Sequence, residues 1–160
     1  AAGEAASSAK RRMGRVETKL EGLSRDQLRE FIKAPRTALE ARTALKSIAH
    51  DSKLVAEWVE VVPPKQFWKL FKSAGSLEMD HLCAIVRALS AHCVRVGAAR
   101  TLQVLRYLAK SSRFALNIAM VDEETTEALE TMFKRLEAEA DKGVEGLDAV
   151  EIESIKDKYL

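Results

Sequence analysis

Prolines number three and glycines seven in 160 residues, and aromatic side chains make up only 6%. A chain so poor in turn formers, with 47% hydrophobic and 31% charged residues, is neither wholly disordered nor rich in tight turns. The expected class is all-α. Long apolar runs are also missing, since none approaches the roughly 20 residues that span a bilayer, so no membrane partner is expected. The two cysteines, Cys83 and Cys93, stand ten positions apart in one apparent helix. That is about 15 Å, too far for a disulfide, which suits a reducing cytosol.

Net charge excludes no partner: 26 basic against 24 acidic residues leave +2. Its distribution is uneven, at +4 over residues 1–36, +6 over 37–121 and −8 over 122–160. A basic front and an acidic tail read first as solvated helix faces. The opening Ala1-Ala2-Gly3-Glu4-Ala5-Ala6-Ser7-Ser8 has no initiator Met and no apolar stretch of signal-peptide length. It therefore reads as the middle of a longer protein.

Chemical motifs are absent as well. No G-x-S-x-G, G-x-G-x-x-G or G-x-x-x-x-G-K-[ST] occurs, so neither a nucleophile elbow nor a phosphate cradle is visible. No enzyme activity and no cofactor are expected. His81, Cys83, His92 and Cys93 are the soft ligands near one another. About 16 Å of helix between the two histidines excludes their sharing a zinc ion, so no metal is expected. His92, beside an apolar stripe, reads as a packed, hydrogen-bonded core histidine. Lys65, Trp68, Lys69 and Lys72 offer a small basic and aromatic surface of the kind that binds nucleic acid. The acidic last third repels a long polyanion, and nucleic acid is not the expected partner.

What the sequence does contain is helical periodicity. Residues 1–14, without an apolar stripe, read as a flexible linker. Ser24 with Gln27 resembles a capping box for a short helix over 24–33, ended by Pro35. Ala38, Ala41, Leu45 and Ile48 predict a helix from Thr37. Leu54, Val55, Trp58 and Val59 predict another after a break at His50-Asp51-Ser52, and Pro64 opens a third with Phe67, Leu70 and Phe71 inward and Lys65, Lys69 and Lys72 outward. Leu82, Ile85, Val86, Leu89 and Cys93 predict a continuous central helix over 78–96, stopped by Gly97. Leu102, Leu105 and Leu108 mark a helix whose other side carries Arg106, Lys110 and Arg113 toward solvent. After a break at 117–121, Asp122 caps a helix with Leu129, Met132, Phe133 and Leu136, placing Lys134 and Arg135 in its final turn. Gly143 and Gly146 then separate it from a last helix with Ile152, Ile155 and Tyr159. The expectation is a single-domain, irregular bundle of seven or eight short helices: a basic linker with one short helix over 1–36, and a helical C-terminal interaction domain over 37–160.

One stretch is more specific. Leu108-Ala109-Lys110-Ser111-Ser112-Arg113-Phe114-Ala115-Leu116-Asn117-Ile118-Ala119-Met120, followed by Met132-Phe133-Lys134-Arg135-Leu136, resembles the helical C-terminal domain of the RNA polymerase II-associated protein 3 family. Ala44-Leu45-Lys46, Val62-Pro63-Pro64-Lys65-Gln66-Phe67-Trp68-Lys69-Leu70-Phe71 and Ile155-Lys156-Asp157-Lys158-Tyr159 agree in order, so the resemblance covers 37–160. The Arg-Phe segment with Ala88-Leu89-Ser90-Ala91-His92 is most similar to members that assemble ciliary dynein arms. The resemblance implies a non-enzymatic adaptor of the cytoplasm and the cilium or flagellum axoneme. It implies docking on a RuvB-like AAA+ ATPase or on dynein assembly factors through Arg113, Leu116 and Met120, with Phe114 as the buried anchor. Better-known members favour Met at position 116 and a large aromatic at 120, so the contact surface here is smaller. The alternatives are a tubulin- or microtubule-binding module, using the basic segment around Lys10 to Arg36, and self-association into a homo-oligomer through the N-terminal helix.

Overall fold

Polar side chains cap five of the ten helix starts among the described residues. The computed structural model describes residues 24–73 and 77–160; the linker expected over 1–14 and the basic cluster at Lys10, Arg11 and Arg12 lie outside them. Ser24 and Gln27 exchange both bonds of a capping box around α1 (Arg25–Leu28), which tightens into a 3₁₀ turn over Arg29–Phe31. Thr37 caps α2 (Ala38–Ile48), and Asp51 caps α3 (Ser52–Val61) by accepting from the Lys53 and Leu54 amides. Pro64 opens α4 (Pro64–Phe71), where a missing N–H is harmless.

The expected central helix is two. Helix α5 (Met79–Ala91) ends where His92 leaves helical geometry (φ −121°, ψ 28°), and α6 (Cys93–Val96) follows at once. Gly97, at φ 92°, turns the chain into α7 (Ala98–Leu108). Helix α8 (Phe114–Ala119) runs into the break expected over 117–121. Asp122 caps α9 (Glu123–Asp141), which runs past Lys134 and Arg135, leaving its last turn without a base. Asp148 caps α10 (Ala149–Tyr159). The described residues thus form ten α-helices and no strand. The two beyond the expected eight come from the division at His92 and from α8.

Helix α5 is central because eight of its thirteen residues are buried, between α3 and α9, while α4 packs on α7. Trp58 is fully buried, with Phe67 set edge-on at 5.6 Å. The short helix expected within residues 1–36 docks on this core: Leu28 is 2% exposed, and Arg25 and Arg29 pair with Asp51 and Glu57. Several arginines do structural work that periodicity conceals. Arg100 donates to the carbonyls of Val59 and Val62 at the end of α3, and Arg106, expected in solvent, pairs with Glu151 of α10. His92 is half-buried rather than a core residue, its Nε2 3.0 Å from the Ser52 hydroxyl. Cys83 and Cys93 are free and buried.

Candidate protein-docking surface

Residues 109–121 join α7 to α9 and carry Arg113, Leu116 and Met120. After α7, the Ser111 amide and hydroxyl both donate to the Leu108 carbonyl, at 2.9 and 2.6 Å, which folds the turn back on its own helix. The next amide, Ser112, donates to Phe71 O at 2.8 Å and ties the turn to the end of α4. Arg113 then takes a left-handed conformation, φ 60° and ψ 18°. For a residue with a Cβ that conformation costs on the order of 1–2 kcal/mol, and it redirects the chain into α8.

Two stripes result. Phe114, Ile118 and Val121, at i, i+4 and i+7, turn toward the core. Phe114 is 6% exposed, with the Tyr159 ring at 4.8 Å and 72°, and the Tyr159 hydroxyl donates to Leu105 O at 2.6 Å. Burial raises the Tyr159 phenol well above its ordinary range. Asn117 fixes the middle of α8 by donating Nδ2–H to Leu77 O at 3.0 Å. Arg113, Leu116 and Met120, at i, i+3 and i+7, are left on the outer side; Leu116 is 64% and Met120 68% exposed. A hydrophobic pair so exposed, one in a short helix and one at its C-cap, beside an arginine, has the composition of a protein contact: apolar area plus a charged donor.

The other sequence candidates do not gather. His81 lies in the first turn of α5 and His92 caps its far end. No group of three or more His, Cys, Asp or Glu among the described residues is arranged to hold a metal ion. His81 is 7% exposed, and burial lowers its pKa. Trp68 is half-buried with Lys110 Nζ 5.7 Å from its ring centroid, and the same ammonium lies 5.3 Å from the Tyr107 ring. That contact joins α4 to α7, and sequence spacing does not announce it, because 42 positions separate Trp68 from Lys110. Asn117 was legible only as a polar residue in an otherwise apolar stretch.

Two comparisons bear on this geometry. A family model described as the potential Monad-binding region of RPAP3, RNA polymerase II-associated protein 3, matches residues 34–126. Among solved structures, the NMR structure of the C-terminal domain of human RPAP3 superposes with a TM-score of 0.66 at 18% identity. The match covers 78% of this chain and 87% of that one, and at this identity it speaks for the helical fold. No curated protein matches the chain by sequence.

Proposed function

This chain belongs to the RPAP3 C-terminal domain family, and from that premise we propose that it is a non-enzymatic adaptor that works by protein contact. Its docking residues are Arg113, Leu116 and Met120, and its partner is a RuvB-like AAA+ ATPase or a protein of the Monad type, for which the family is described. Within the family its Arg-Phe segment resembles that of coiled-coil domain-containing protein 103. The adaptor accordingly serves the assembly or attachment of axonemal dynein arms, in the cytoplasm and at the cilium or flagellum axoneme.

The observation that supports this reading is the split of one short segment into an anchored and an offered side. Phe114 holds α8 to the core, while Leu116 and Met120 stand in solvent beside Arg113. Exposed aliphatic groups next to a guanidinium give buried area and a directional hydrogen bond on association.

Co-purification from ciliated cells, with variants first shown to melt like the parent, tests it. Arg113→Ala and Met120→Asp should each weaken capture of RuvB-like ATPases, Monad or dynein chains by about 1–3 kcal/mol. Their fold should be little affected, whereas Phe114→Ala should lose roughly 3–5 kcal/mol of stability. Full capture of every partner by both surface variants would remove the assignment. Salt-labile pelleting with microtubules that depends on residues 10–36 would move it to tubulin, and a size shift on removing residues 1–36 would move it to self-association.

A further inference from the structure

Helix α4 carries positive charge that nothing in the helix balances. It contains no carboxylate. Lys65, Lys69 and, one residue past its end, Lys72 are all exposed at i, i+4 and i+7. The dipole favours Lys69 in the last turn and Lys72 at the C-cap, but like charges at that spacing repel, and Lys65 stands at the end where the dipole is already positive. Helix stability therefore does not account for Lys65 or for a row of three lysines with no acid among them.

The neighbouring elements extend the same charge. Lys110, at the end of α7, lies over the Trp68 and Tyr107 rings, and the Ser112–Phe71 backbone bond sets Arg113 beside the end of α4. Among the described residues, none of Lys65, Lys69, Lys72, Lys110 and Arg113 makes an ion pair. Elsewhere Arg25, Arg29, Arg95, Arg106 and Lys156 have carboxylate partners, while Lys33, Lys46, Lys134, Arg135 and Lys158 have none but lie scattered along the chain, so it is the gathering of these five on adjoining elements that sets them apart. Three elements thus bring five cations together and leave all five without a counter-charge.

We propose that α4, the end of α7 and the start of α8 form one basic dock for an acidic, extended segment of a partner protein, running onto Leu116 and Met120. This rests on the docking role given to Arg113, Leu116 and Met120 above and adds the partner's chemistry: a run of Asp and Glu carboxylates with an apolar residue at one end. The α4 lysines rise about 6 Å and then about 4.5 Å along the helix axis. An extended peptide brings every second side chain to one face at a comparable spacing of about 6.7 Å. Charge complementarity selects the carboxylates, and the exposed Leu116 and Met120 select the apolar end.

A nucleic acid fits less well. Lys110 already stands over the two rings on which bases would stack, and aliphatic Leu116 and Met120 offer a phosphate backbone nothing.

The test uses the full 160-residue chain and a fluorescein-labelled peptide of five Glu-Asp pairs ending in Leu-Met, read by fluorescence anisotropy. Binding should saturate and weaken as sodium chloride rises from about 50 to about 500 mM. A Lys65→Glu, Lys69→Glu, Lys72→Glu chain should bind about tenfold more weakly or worse. A control with the same change in net charge at exposed lysines without an ion pair, Lys33→Glu, Lys134→Glu, Lys158→Glu, should bind within about twofold of the parent. All three proteins should melt alike, since every substituted lysine is exposed. Absence of saturable binding overturns the proposal, as does equal loss in the two triple variants, which would reduce the effect to net charge. Tighter binding of a single-stranded oligonucleotide of the same charge overturns it too. Capture of RuvB-like ATPases is read separately: its failure with a normal peptide isotherm removes the adaptor's partner and leaves the dock standing, and the reverse removes the dock alone.

Discussion

His81 is the residue whose surroundings most restrict its charge. It is 7% exposed, its Nδ1 is buried without a hydrogen-bond partner, and the ring faces Glu78 and Asp80 on one hand and Arg42 and Lys46 on the other. Burial is the largest influence and lowers the pKa; the two acids oppose it, and the two bases add to it. The folded state therefore binds fewer protons than the unfolded chain, whose histidines titrate near 6.5. Stability should be fully present above that pH and decline as pH falls below it. Melting temperatures measured from pH 7.5 to 5.5 should show this decline, and His81→Leu should flatten it while leaving stability at pH 7.5 equal or higher, since a buried polar atom without a partner is removed. An undiminished decline in the variant would assign the effect to other groups. Arg113 is a second residue under local constraint, the one described non-glycine with positive φ. Its left-handed turn is what lets one short segment both anchor Phe114 and expose Leu116.

Between α5 and α6 the decisive feature is a backbone angle. The stripe Leu82, Ile85, Val86, Leu89, Cys93 continues through His92, so apolar spacing predicts one helix, and no proline or glycine marks the break. His92 nevertheless sits at φ −121° while its amide still donates to Ala88 O at 2.9 Å and its ring reaches Ser52 of α3. Proline there would remove that amide and demand φ near −65°, so His92→Pro should cost about 3 kcal/mol or more. His92→Gln keeps the amide and a side-chain group able to reach Ser52, and should lose about 1 kcal/mol or less. Urea denaturation of the two variants separates them, and equal midpoints would show that the backbone bond matters little. Helix α8 illustrates a different limit. At six residues it is too short to be stable alone, so it exists because Phe114, Asn117 and Ser112 tie it to α10, Leu77 and α4.

At the scale of the molecule, the C-terminal helices complete a core that the family match leaves open. That match stops at residue 126. Phe133 and Leu136 from α9, with Ile152, Ile155 and Tyr159 from α10, are buried in the same core as Leu102, Leu105 and Phe114. Tyr159 touches both Phe114 and Phe133, with centroids at 4.8 and 5.8 Å. A chain ending at residue 147 should therefore lose about 5 kcal/mol or more, from three large apolar side chains at roughly 1.5–3 kcal/mol each. It should also release Phe114 and α8. Circular dichroism should show more helix lost than the eleven residues of α10 account for, and a truncated chain that melts like the parent would contradict this account.

Local signals in the sequence determined the helical class and most helix starts, because capping and proline chemistry act within a few residues: Ser24 with Gln27, Thr37, Asp51, Pro64, Asp122 and Asp148 all stand where the structure places a helix start. The inward stripes of α2, α3, α4, α7, α9 and α10 were equally legible, since burying one helix face needs apolar residues at a fixed spacing. Arg113, Leu116 and Met120 could be named from the resemblance, but their exposure depended on Phe114 finding Tyr159, 45 positions away. Likewise the pairing of Arg106 with Glu151, the reach of Arg100 to Val59 and Val62, and the meeting of Lys110 with Trp68 each join residues remote in sequence. Only the packing of the helices decides which charged side chains end among carbonyls, which find a counter-ion and which are left in solvent, because those outcomes depend on distances that no local pattern encodes.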